Sequence, residues 1–281
     1  MTKLDCIIFF GSTSRAEADK ISDRDVLLIE NDLNMRKFIA EKFIRAGFDI
    51  RSYSRKRFLN LSYRNPLFVR HLLREGKFYG LNSKYYRASI SGEVSDAFLK
   101  KSSDWSVNLC EVAFNTPDSM VGRFWMMDVF YVAVRNFGIV QTHQEGYGSF
   151  SYRDCMNFLK HRYGLTYEER DALLYLRIAK NRYRSNNISH FDDTDYIRNT
   201  LDKVFGEGFS GSIGGENYQK EFKKGRGYYI NMRAIEKQLL SYAGHGSEAL
   251  DNGRHKWLRS ALIKPAEYGF LFQDCHISGG V

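Results

Sequence analysis

The stretch Phe10–Glu30, FGSTSRAEADKISDRDVLLIE, decides how the first part of this chain folds. An apolar run, Cys6–Phe10, ends in Gly11 and Ser12, and a polar segment follows. The sequence Ser-Asp-Arg-Asp at 22–25 then leads directly into the apolar run Val26–Ile29. This order predicts a strand, a glycine turn, a short helix and a second strand that opens with two aspartates.

The two aspartates, Asp23 and Asp25, are separated by one residue. Side chains alternate across a strand, so these two carboxylates are expected to project from the same face while Arg24 points away. Carboxylates that share a face repel each other unless a cation lies between them. A hard divalent ion with oxygen ligands, such as Mg²⁺, is the cation that best relieves this repulsion.

The turn at Gly11 and Ser12 supplies features of a phosphate site. Glycine allows the backbone to approach a ligand closely, backbone N–H groups at a helix start attract anions, and the Ser12 hydroxyl can donate a hydrogen bond. A phosphate site beside a metal pair has the parts that nucleotidyl transfer needs, because two metal ions can stabilise the attacking and leaving oxygens. The alternative is a surface loop followed by a strand with solvated aspartates.

The order of apolar run, Gly11-Ser12, and then Asp23-x-Asp25 before a second apolar run resembles the polymerase-β-type nucleotidyltransferase superfamily. The small minimal nucleotidyltransferases and the antibiotic nucleotidyltransferases are the most similar members. Arg15 matches a basic residue often found after Gly-Ser in that superfamily. The resemblance covers residues 1–92 and implies nucleotide binding by Gly11, Ser12 and Arg15.

A third carboxylate usually completes the metal site of that superfamily from a later strand. Asp49 is the only carboxylate in the alternating segment 48–54, so the resemblance makes it the candidate third ligand and base. The implied catalytic and metal-binding set is Asp23, Asp25 and Asp49, with two Mg²⁺ ions, or Mn²⁺, as cofactor. A solvated aspartate at a strand end remains the alternative for Asp49.

The expected fold class is α+β, with a nucleotidyltransferase core of mixed sheet and helices followed by a mainly helical domain. We predict the core at 1–92 and a helical, substrate-side domain at 93–205. A glycine-rich linker at 206–216 and a basic, aromatic segment at 217–281 follow. The helical domain includes a nearly all-apolar helix from Met120 to Phe137, which is typical of the centre of a bundle.

The formal net charge of +9 favours an anionic partner. We expect an NTP, with ATP favoured, to donate an NMP to a hydroxyl of tRNA, another RNA or a protein, as in a toxin or defence activity. A cationic antibiotic suits a basic protein less well, so a small-molecule nucleotidyltransferase is the alternative, together with a degenerate RNA-binding protein. No apolar run reaches the length of a membrane span, so we expect no membrane partner. The four cysteines are far apart in sequence and are interpreted as free thiols of a reducing cytosol, so we expect a cytoplasmic location.

The helix predicted at 166–183 carries basic residues in and just after its last turn. Lys180, Arg182 and Arg184 are candidates for acceptor or phosphate contacts, although cations at a helix C-terminus also interact favourably with the helix dipole. Arg184 and His190 also match loosely the arginine–histidine pattern of the helical ribonucleases that often pair with minimal nucleotidyltransferases. A substrate-binding helical domain is the interpretation we prefer.

Overall fold

The computed structural model describes residues 4–14, 24–114, 116, 120–185, 194–206, 229–230, 233–234 and 236–237. The chain forms two compact units, Met1–Leu99 and Lys100–Val281. The first unit contains a mixed sheet with helices, and the second is helical wherever it has regular structure in the described residues. The α+β class is therefore confirmed in general terms.

In the residues that the structure describes, unit 1 is built on a sheet of four strands in the order β3-β2-β1-β4. The strands are β1 (Cys6–Phe9), β2 (Asp25–Ile29), β3 (Asp49–Tyr53) and β4 (Lys77–Tyr79). β1 is antiparallel to both β2 and β4, whereas β2 and β3 are parallel. A parallel pair needs a crossover, and helix α1 (Leu33–Arg45) provides it. The strand β3 is an edge strand.

Helix α1 covers one face of this sheet. It begins where the carboxylate of Asp32 accepts hydrogen bonds from the backbone N–H groups of Asn34 and Met35, as a helix N-cap does. Its Phe43 ring lies 6.2 Å, between ring centroids, from the ring of Phe9 in β1. Phe9 belongs to the set of alternating residues that points away from the main core.

The opposite face of the sheet packs, within the described part of the chain, on helices α2 (Arg55–Leu59), α3 (Leu61–Arg64), α4 (Pro66–Glu75) and α5 (Ser83–Ala88). The sequence indicates one basic helical segment over 54–76 with a break at Pro66; the structure divides it into α2, α3 and α4. The buried core between sheet and helices comprises Cys6, Ile8, Phe10, Leu27, Ile29, Phe58, Leu61, Val69, Leu72, Tyr86 and Ile90. Every second residue of β1 and β2 enters it, as the period of a strand requires.

Unit 2 contains helices arranged around one buried helix. The helices are α6 (Asp96–Ala113, whose first residues belong to unit 1), α7 (Met120–Gln144), α8 (Tyr152–Tyr163), α9 (Tyr167–Arg184) and α10 (Thr194–Phe205). Most residues of α7 are buried all round its circumference, so the prediction of a central helix is confirmed. The start of α9 has a reciprocal capping box between Thr166 and Glu169. No helix in the described residues is long and apolar enough to cross a membrane.

A buried ion network ties residues near the end of the described chain to α7. Asp128 of α7 is 1% exposed and accepts hydrogen bonds from Arg233 and, at 2.8 Å, from Arg184 Nε. Arg233 also donates to Glu236, which accepts from the Trp125 indole at 3.0 Å. Burial opposes ionisation of Asp128, but the two guanidinium groups hold its pKa below the ordinary value. The side chains at 233 and 236 are thus part of the interior of unit 2.

Candidate active site

The glycine turn adopts the tight conformation that the sequence predicts. Gly11–Thr13 form a single 3-10 turn directly after β1, and Gly11 has φ +71°. The Gly11 carbonyl accepts hydrogen bonds from the Ser14 backbone N–H at 3.1 Å and from the Ser14 hydroxyl at 2.8 Å. A positive φ favours glycine here, since a side chain adopts this region only at a cost.

The carboxylate of Asp25 packs against this turn. A Cβ atom placed on Gly11 would lie 2.8 Å from Asp25 Oδ2, closer than real Cβ atoms approach other atoms. The two segments are joined by the β1–β2 pairing, which a hydrogen bond from the Phe10 N–H to the Asp25 carbonyl extends at 3.3 Å. Gly11 therefore has two structural reasons to be glycine: its backbone conformation and the space that the Asp25 carboxylate occupies.

Asp49 lies directly beside Asp25 on the neighbouring strand. The two residues are register partners at the start of the parallel pair β2–β3, and the Asp49 N–H bonds to the Arg24 carbonyl at 2.9 Å. Neighbouring strands are about 4.8 Å apart, and register partners present their side chains to the same face. Asp25 is half-buried and Asp49 exposed, so this pair of carboxylates is open to solvent at the edge of the sheet.

Arg24 lies on the other side of β2. Its guanidinium carbon is 5.2 Å from the centroid of the Phe48 ring, which itself contacts Phe9 and Phe43 on the α1 side of the sheet. Arg24 therefore points away from Asp25, as the strand period predicts, whereas Asp23 lies outside the described residues. Arg24 is thereby kept off the face that Asp25 and Asp49 share.

The residues that the structure brings together are thus Gly11, Asp25 and Asp49. Asp23 and Arg15, predicted for the metal and nucleotide sites, lie outside the described residues. Within the described ranges no group of three His, Cys, Asp or Glu side chains is arranged to hold a metal ion. Two carboxylates on one face suit a hard divalent ion such as Mg²⁺, which takes oxygen ligands and keeps several waters.

The basic residues at the end of α9 have partners inside unit 2. Lys180 is 9% exposed, with its ammonium 5.0 Å from the Tyr131 ring centroid. Arg182 donates to the Tyr175 hydroxyl at 3.2 Å, and Arg184 is held by Asp128. Contact with an acceptor or a phosphate stays a prediction for these three residues. His190, of the ribonuclease-like pattern, is outside the described residues.

The basic helical segment that the sequence indicates at 54–76 is part of a larger exposed basic surface in unit 1, which was not predicted as a functional surface. Residues 50–92 contain ten lysines and arginines and one acid, Glu75, and all ten cations are exposed. Glu75 bonds to the ring of buried His71 at 3.0 Å, so His71 has a packing role in α4. A charge count over this window, rather than over the whole chain, would have revealed the surface.

Comparison of this chain with known proteins found no similar protein: no family model, no curated protein and no solved structure matches it.

Proposed function

We propose that this protein is a metal-dependent nucleotidyltransferase of the polymerase-β type, which transfers an NMP from an NTP, with ATP favoured, to a hydroxyl acceptor. The observation that carries the proposal is the packing of the Asp25 carboxylate against Gly11, with Asp49 in register beside it. A glycine turn and two carboxylates meet at one edge of the sheet. The acceptors that we consider are RNA, including tRNA, and protein.

In the proposed reaction an acceptor oxygen forms a bond to the α-phosphorus, and the bond between that phosphorus and the bridging α–β oxygen breaks. Pyrophosphate leaves with the bonding electrons, and the acceptor proton passes to a base. Bound Mg²⁺ would neutralise charge on the phosphates. Asp25 and Asp49 would hold the ion, and the backbone at Gly11 leaves room for a phosphate to approach.

Asp49 is the better candidate for the base. It is exposed, whereas Asp25 is half-buried against the glycine turn. An accessible carboxylate can accept a proton from an incoming hydroxyl within hydrogen-bond reach. Asp23, which the sequence places two residues before Asp25, would be the remaining ligand.

The test is transfer of label from α-³²P-ATP to total RNA or protein in Mg²⁺. We expect Asp25→Asn and Asp49→Asn each to lower transfer by at least a hundredfold, because a neutral amide binds Mg²⁺ poorly. Glu41→Gln is the matched control: it removes one carboxylate from the exposed side of α1, where Glu41 pairs only loosely with Arg45 at 4.0 Å. Full transfer by the two aspartate variants would refute the proposal.

A second candidate is an RNA-binding protein on a core that has lost catalysis. The density of exposed cations over residues 50–92 favours it. It predicts RNA binding that weakens steeply with salt, and no turnover of any NTP.

A cytoplasmic location is also part of the proposal. It is supported by the buried free thiols of Cys6, Cys110 and Cys155, which suit a reducing compartment.

A further inference from the structure

The exposed basic surface of unit 1 includes residues next to the candidate active site. Four of its ten exposed cations, Arg51, Arg55, Lys56 and Arg57, fall within seven residues at β3 and the start of α2. We call the three arginines among them, with their aromatic partners, the basic edge. Such a concentration of guanidinium groups attracts a polyanion.

Each arginine of the basic edge lies over an aromatic ring. The guanidinium carbons are 5.9 Å from the Phe68 centroid for Arg51, 4.6 Å from the Tyr85 centroid for Arg55, and 5.0 Å from the Tyr53 centroid for Arg57.

The rings of the basic edge remain partly accessible. Tyr85 is 43% exposed, and Tyr53 and Phe68 are half-buried. A guanidinium packed against a ring has fewer conformations to lose on binding, and it offers a flat surface on which a base can stack.

The basic edge also continues directly from the candidate site. Asp49, Arg51 and Tyr53 are alternate residues of the edge strand β3, so they share one face of the sheet. With a rise of about 3.3 Å per residue, Arg51 lies roughly 7 Å and Tyr53 roughly 13 Å from Asp49 along the strand. A chain bound on this edge would therefore lead towards Asp49.

We infer that the basic edge binds single-stranded RNA and presents its terminal hydroxyl to the site of Asp25 and Asp49. The inference rests on the proposed function for the identity of the reaction, but the binding surface can be tested separately. Single-stranded RNA fits because its bases are free to stack on rings and guanidinium planes while the phosphates contact the cations. A duplex keeps its bases stacked in its interior, so only its phosphates could interact with the basic edge, through the arginine charges.

The binding experiment uses the full chain without NTP and measures the fluorescence anisotropy of a labelled single-stranded RNA over a series of salt concentrations. We expect Arg55→Gln/Arg57→Gln to weaken binding about tenfold or more, because base–aromatic stacking and two charges are affected together. The slope of log K against log salt should fall by about 1.4, which is about 0.7 for each lost phosphate contact.

The control is Lys37→Gln/Lys42→Gln on α1, at the other face of the sheet. It removes the same formal charge from exposed positions, and Lys42 also lies over a ring, 4.3 Å from the Phe38 centroid. We expect binding within about twofold of the wild type. An equal loss in both double variants would overturn the inference, because binding would then follow net charge and not the basic edge.

The remaining outcomes separate this inference from the proposed function. No RNA binding, with label transferred to another acceptor, would overturn the inference and leave the nucleotidyltransferase assignment. The protein could also bind RNA, lose that binding in Arg55→Gln/Arg57→Gln, and transfer no label in any variant. That result would support RNA binding by the basic edge and refute the nucleotidyltransferase activity. Binding to anionic phospholipid vesicles in place of RNA would also overturn the inference. Unchanged thermal melting of the variants shows that they fold.

Discussion

Replacing Gly11 with alanine changes the candidate site by a single methyl group. Gly11 has φ +71°, and the new Cβ would lie 2.8 Å from Asp25 Oδ2, where ordinary van der Waals contact begins at about 3.4 Å. The colliding atom is at the far end of a flexible side chain, so the carboxylate can rotate away while the backbone stays in place. The substitution should therefore move the Asp25 carboxylate by roughly 0.6 Å or more without disrupting the sheet.

The expected cost has two separate parts. An alanine at positive φ costs about 1–2 kcal/mol of folding free energy, which lowers the melting temperature of a unit of this size by about 4–8 °C for each kcal/mol. Moving the Asp25 carboxylate, a proposed metal ligand, by a fraction of an ångström should lower the reaction rate more than it lowers the stability of the fold. A misplacement of about 1 Å costs on the order of a hundredfold in rate, so we expect label transfer to fall roughly 10- to 100-fold.

Gly47 provides a matched control for the stability cost that comes from placing alanine at a positive φ. It has φ +80° just after α1, and an added Cβ would meet nothing within 4 Å. Gly47→Ala should lose about the same 1–2 kcal/mol of stability but retain transfer. Thermal unfolding and transfer from α-³²P-ATP, measured over a Mg²⁺ titration, separate the two effects. The concentration of Mg²⁺ at half-maximal activity should rise for Gly11→Ala alone.

Equal activity of the two alanine variants would refute this prediction. A Gly11→Ala variant that lost as much stability as Gly47→Ala but kept the Mg²⁺ dependence of the wild type would refute it as well. In either case the contact between the turn and Asp25 would have no bearing on the chemistry.

Three further predictions concern groups outside the glycine turn. Arg233→Ala should destabilise unit 2 by roughly 3 kcal/mol, measured by urea unfolding, because Asp128 would keep only the half-exposed Arg184 as counter-charge. Since the folded pKa of Asp128 is lowered, its contribution to stability is present above the ordinary value of about 3.9 and should fade as pH drops below it. Asp128→Asn should remove that dependence; an unchanged acid profile would contradict it. Burial raises the pKa of the Cys6 thiol to about 12, so iodoacetamide at pH 8 should leave Cys6 unmodified until the protein unfolds. Rapid labelling of native protein would contradict this expectation.

Local rules were enough to predict the elements around the candidate site. The apolar runs on either side of Gly11 form the antiparallel strands β1 and β2, and the alternation at Asp49–Tyr53 forms β3. The direction of Arg24 followed from the period of a strand. These features depend on nearest neighbours in sequence, for which periodicity is a sufficient signal.

Long-range register could not be predicted in the same way. The sequence offered Asp49 as a candidate, but its alignment opposite Asp25 depends on the length of α1 and on how the crossover packs. The pairing of Arg55 with Tyr85, thirty residues later, depends on how α5 lies beside α2. The buried pair of Asp128 and Arg233 joins positions more than a hundred residues apart, and although Asp128 lies in the predicted apolar helix, no local pattern marks Arg233 as its buried partner.

The interior position of Arg233 has a consequence for synthesis on the ribosome. Asp128 leaves the ribosome about a hundred residues before Arg233, its buried guanidinium partner. Helix α7 therefore cannot bury the Asp128 carboxylate beside that counter-charge until Arg233 has been synthesised. During that interval an ionised carboxylate has to stay hydrated or rely on Arg184 alone. Unit 1, whose described core lies within residues 6–90, can complete its packing first. The order of translation therefore favours vectorial folding, in which the sheet is finished while the helical unit remains open.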